Sequence, residues 1–134
     1  MMIQTTVEVK AVETKEPDLK ELIHIAEINF RKGDLDSKQI ALEKIWDALE
    51  KLKTYYSDKK LSSLNKVLDK ISNGNENLRM ILNKEFRELT DIGNTHQIRH
   101  FETGKIAIKD ARMKEYWYMR CLALINLAIK YIEE

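Results

Sequence analysis

The chain has 134 residues, 43% apolar and 34% charged, with 23 Lys and Arg against 22 Asp and Glu. That length suits one domain with one modest core, and a net charge of +1 excludes a global field strong enough to steer a polyanion, so nucleic-acid binding would need a local basic patch. The single Cys121 excludes an internal disulfide and fits a reducing cytosol.

The opening "MMIQTTVEVKAVETKEP" lacks the apolar centre of a signal peptide. Residues 1–15, with Val7 and Val9 two apart among polar neighbours, are expected to be a flexible tail or linker rather than an edge strand. The remainder, 16–134, is expected to be one helical domain. One proline and four glycines leave little turn material, which favours long helices with short connections.

Pro17 opens the first helix in a permitted first-turn position. Its apolar stripe is Leu19, Leu22, Ile23, Ala26 and Phe30, with His24 beside it and Gly33 as the stop. A second helix is expected to start near Asp36 or Ser37, both competent caps. Its stripe runs Ile45, Trp46, Leu49, Leu52 and Tyr56, with Glu43, Lys44, Asp47, Glu50 and Lys51 facing water. Leu61, Leu64, Leu68 and Ile71 mark a shorter third helix, followed by the turn residues "SNGN" at 72–75, where Asn75 is a plausible cap. Leu78, Ile81, Leu82, Phe86 and Leu89 form a fourth, expected to end at Gly93-Asn94.

Asp110 is expected to cap the last helix, 111–133, which is apolar around most of its circumference and so is expected to be central. Its most apolar part, 116–132, holds Arg120, Asn126 and Lys130 and is too short to span a bilayer comfortably. Arg120 in so apolar a setting calls for a carboxylate, with Glu102, Asp47 and Asp91 as candidates. The expected architecture is an all-α, mostly antiparallel bundle of four to five helices, soluble and cytoplasmic, without a membrane partner.

The stretch "IGNTHQIRHFETGKIAI", 92–108, interrupts this pattern. Arg99 offers a planar fork for phosphate or carboxylate, His96 and His100 titrate near neutrality, and Glu102 can orient a histidine or neutralise Arg99. Phosphodiester chemistry would use Arg99 on the phosphate and a histidine for proton transfer. A metal site on His96, His100 and Glu102 has weaker support, because H-x-x-x-H alone is unspecific and no further Cys or His joins it. A structural loop would instead pair Arg99 and Glu102 with each other or with helix ends and anchor Ile98 and Phe101 in the core. No cofactor and no metal are expected.

Three segments, "ALEKIWDALEKLKTYY" at 41–56, "FRELTDIGNTHQIRHFETGK" at 86–105 and "YWYMRCLALINLAI" at 116–129, together resemble the C-terminal helical domain of bacterial abortive-infection proteins of the AbiJ type, usually grouped with HEPN domains. The resemblance covers roughly 17–132 and rests mainly on the "IRHFE" core and the Trp-Asp-Ala helix. It implies a HEPN-like bundle in a phage-defence protein, commonly a homodimer. Many such domains are metal-independent endoribonucleases that set an Arg and a His from each protomer around RNA at a shared cleft. On that basis Arg99, His100, His96 and Glu102 are the candidate catalytic residues, RNA a possible partner, and Trp117 or Tyr118 candidates for the dimer contact. The usual HEPN spacing places the His several residues after the Arg, whereas here His100 adjoins Arg99. The alternative is a non-catalytic dimerisation or RNA- or nucleotide-sensing module serving another effector domain.

Overall fold

The computed structural model describes residues 10–99 and 101–134. The described residues form five helices: α1 (Pro17–Phe30), α2 (Leu35–Lys53), α3 (Lys60–Ser72), α4 (Glu76–Thr95) and α5 (Ala111–Ile132). Between α4 and α5 lies a two-residue parallel pair, β1 (His96–Gln97) and β2 (Ile106–Ala107). The expected all-α bundle is what the chain forms. Among the described residues no helix is long and apolar enough to cross a membrane.

Helix α1 packs along α2, α2 along α5, and α5 also meets α3. The core is built chiefly from Leu42, Ile45, Leu49 and Leu52 of α2 with Leu122, Ile125 and Ala128 of α5, all fully buried. Each large apolar side chain removed from water contributes about 1.5–3 kcal/mol. Tyr118 lies inside as well, its ring stacked on Phe30 at 4.1 Å between centroids, so it is not at the surface where a partner would meet it. Helix α4 is different: of its twenty residues only Phe86 and Leu89 are buried. Lys53, itself buried, ties it to α2 by donating to Thr90 Oγ1 at 2.6 Å while holding Glu50 at 2.9 Å.

The caps follow local chemistry. Asp34, two residues before the expected start, caps α2 by accepting from the Ser37 amide at 2.9 Å. Asn75 accepts from Leu78 and Asp110 from Arg112, as the sequence suggests. Glu16 caps α1 through the Leu19 amide. The α3–α4 turn places Asn73 and Gly74 in left-handed conformations, φ 49° and 83°, which Asn and Gly reach with least strain. Tyr56 falls beyond α2 and is exposed.

Two expectations are corrected. Gly93 does not end α4; the helix continues to Thr95. A Cβ on Gly93 would lie 2.5 Å from the Trp46 indole nitrogen, so this glycine permits a close approach and not a stop. Arg120 is partnered by Glu85 and Glu88 of α4 rather than by Glu102, Asp47 or Asp91. Its guanidinium also lies 5.2 Å from the centre of the Trp117 ring. Asp47 and Glu102 are already engaged elsewhere.

Residues 10–15 run along α1 and α5 without regular structure. Asn126 holds both sides of them, accepting from the Val12 amide and donating to the Lys10 carbonyl, each at 2.9 Å. Glu133 accepts from Thr14 Oγ1 at 2.5 Å and the Lys15 amide at 2.7 Å. It also takes the Tyr55 hydroxyl, whose pKa burial and this carboxylate together push up to about 12. Val7 and Val9, where an edge strand was considered, lie outside the described residues.

Because the Trp46 ring is buried and cannot withdraw, Gly93→Ala should destabilise the fold by about 1–3 kcal/mol as overpacking does, despite alanine's better helix propensity. Denaturant unfolding followed by tryptophan fluorescence measures this; a variant as stable as the parent would show that the indole moves freely.

Candidate functional site

The connection from α4 to α5, 96–110, is built around one buried residue. Ile98 is fully buried, and Ile108 anchors the returning limb. Phe101, the other expected anchor, is 76% exposed and points into solvent with Ile106. Burying Ile98 takes its peptide groups out of water, so both need partners. Glu102 Oε1 accepts from the amides of Ile98 at 3.0 Å and Arg99 at 2.7 Å. Gln39 of α2 donates to the Ile98 carbonyl at 2.6 Å.

The rest of the Glu102 carboxylate is taken as well. Oε2 accepts from Lys105 Nζ at 2.5 Å, and the same ammonium donates to the Gly93 carbonyl at 3.0 Å, near the end of α4. Burial would raise the Glu102 pKa, but Lys105 and the two amides outweigh it and hold the carboxyl below its ordinary value. Arg99 turns to α2: its Nε, at 3.1 Å, and Nη2 both donate to Asp47 Oδ1. The Arg99–Glu102 distance is a looser 4.0 Å.

The structure therefore brings Arg99 and Glu102 together through backbone and links both to neighbouring elements. His96 pairs in register with Ile106; its Nδ1 is buried and has no hydrogen-bond partner. No hydrogen bond joins its side chain to Arg99 or Glu102 among the described residues. His100 lies outside the described residues. Among those described, no three His, Cys, Asp or Glu are grouped to hold a metal ion. His24 is exposed on α1, and Cys121 is fully buried, its thiol pushed well up in pKa by desolvation.

Three contributors were not legible beforehand. Asp47 has the position of a solvated charge on α2, and only the fold shows that the loop passes over it. Gln39 was hidden for the same reason. Lys105 stands three residues after Glu102, a spacing visible in the sequence but not informative without knowing that a turn places them together.

Arg99 and Asp47 should be coupled by about 0.5–1 kcal/mol in a double-mutant cycle of Arg99→Ala and Asp47→Ala. This range is near that of surface pairs, because the side chains are 24% and 27% exposed and water screens them. Independent, additive effects would remove the pair from the account. A carboxyl with a depressed folded pKa contributes stability above its unfolded value, near 4.5, and loses that contribution as pH falls through the folded value. Glu102→Gln should therefore lower stability at neutral pH and flatten the acid side of the stability curve; an unchanged acid limb would contradict this.

No protein-family model, no curated protein sequence and no solved structure matches the chain.

Proposed function

We propose that this chain is a HEPN-like helical module of a phage-defence protein that works by association with a second copy, its "IRHFE" loop acting as a clasp and not as a centre for RNA cleavage. The observation that carries this reading is the engagement of Arg99 by Asp47. A guanidinium already neutralised by a neighbouring carboxylate is poorly placed to stabilise a phosphate. Glu102 is likewise committed to two amides and an ammonium. The phage-defence setting rests on the sequence resemblance alone.

Association is supported by what α4 exposes. Leu78, Met80 and Ile81 face solvent, Met80 at 72%. Leu78 and Ile81 lie two turns and one turn before Glu85, on the side that Arg120 bridges to α5, where Tyr116 is also exposed. The Arg120 bridge is thus flanked by apolar side chains on both helices, the composition of an interface centre with a charged pair at hand. Tyr116, not the buried Tyr118, is the aromatic available to a partner.

Light scattering should give a dimer at micromolar concentration, and Ile81→Glu should give a monomer with unchanged helicity. Arg99→Ala and Glu102→Ala should lower the melting temperature, with His96→Ala doing less and the parent cleaving no RNA. Cleavage by the parent that falls by about 100-fold in His96→Ala at unchanged stability would overturn the clasp in favour of an endoribonuclease. A monomeric parent would overturn the association.

A further inference from the structure

A cleft of about 310 Å³ opens between the start of α2 and the start of α5, against the clasp; Asp36, Gln39, Ile108, Lys109 and Lys114 are among its walls. Lys114 is the unusual member. The residue is only 7% exposed, yet among the described residues no carboxylate lies within ion-pair distance of it. Its ammonium donates to the Gln39 side-chain oxygen, and the Gln39 amide is held in turn by the Ile98 carbonyl. Among the described residues, one neutral acceptor leaves two of three N–H donors without a protein partner.

A buried ammonium is costly unless charge or hydrogen bonds compensate it. Desolvation accordingly pulls the Lys114 pKa down, with Asp36 only partly opposing it. A second feature converges here. Leu35 and Asp36, the first two residues of α2, line the cleft, and first-turn amides have no partner within their own helix. Of these amides the Asp34 side chain takes that of Ser37, together with the Ser37 hydroxyl. Lys109 adds a further positive charge at the rim.

We propose that this cleft binds a single phosphate group, with the Lys114 ammonium as its counter-charge and the first turn of α2 supplying amides. The group is compact because Asp36 on the wall opposes extended polyanions such as RNA. An ammonium is a point charge suited to a tetrahedral oxyanion, whereas planar carboxylates favour a forked guanidinium. The site stands independently of the association proposed above.

The test titrates the full chain with inorganic phosphate at ionic strength fixed by chloride, reading the melting temperature and heat of binding. Saturable stabilisation is expected by linkage, with little response to acetate. Lys114→Met, which retains most of the volume, should fold and lose the phosphate response. Asp36→Asn should bind phosphate several-fold more tightly, and this gain decides the matter if Lys114→Met proves unstable. Adenosine monophosphate binding more tightly than phosphate would assign the group to a nucleotide, and equal binding to the free ion; either supports the site. Absence of any phosphate response in the parent, a response to acetate alone, an undiminished response in folded Lys114→Met, or no gain in Asp36→Asn would overturn it.

Discussion

An irregular segment can enter a helical core only if its peptide groups are answered, and here that requirement falls on Ile98. Its amide goes to Glu102 and its carbonyl to Gln39, one partner from the loop itself and one from α2. An unmade buried hydrogen bond costs about 1–3 kcal/mol, so neither half of this arrangement is optional. With Ile98 secured, Lys105 reaches back to α4, Arg99 reaches down to Asp47, and Lys114 is left against Gln39. The clasp joins α2, α4 and α5 at one end of the bundle.

This arrangement bears directly on chemistry. Charged side chains grouped in a short polar loop invite a catalytic reading, yet Arg99, Glu102 and Lys105 each have a structural task visible in their partners. A buried cation with only a neutral partner, Gln39, lies one element away, at Lys114, in a helix whose apolar character drew attention elsewhere.

Helical spacing made most of the fold legible. The stripe of α1, most of that of α2, the caps Asn75 and Asp110 and the centrality of α5 all follow from side-chain periodicity and backbone satisfaction, which are local properties, whereas of the expected α4 stripe only Phe86 and Leu89 are buried and Leu78 and Ile81 face solvent. What escaped was tertiary. Gly93 reads as a terminator because glycine commonly is one; that it accommodates Trp46 depends on a helix forty-odd residues earlier in the chain. Arg120 demanded a carboxylate on sound grounds, but the choice of Glu85 and Glu88 is set by which face of α4 turns toward α5. At the loop, the sequence showed which residues carry charge and not which of them were already taken. Ile98 was legible as an anchor, whereas Phe101, equally apolar, was not distinguishable from it.

The segment 10–15 is strapped along the last two turns of α5, with Lys10 and Val12 at Asn126 and Thr14 and Lys15 at Glu133. Helix α5 begins beside the clasp and ends at that junction. Its twenty-two residues set the two poles about 33 Å apart at 1.5 Å per residue. The end of α5 opposite the clasp and the Lys114 cleft is therefore held in place by chain that precedes α1.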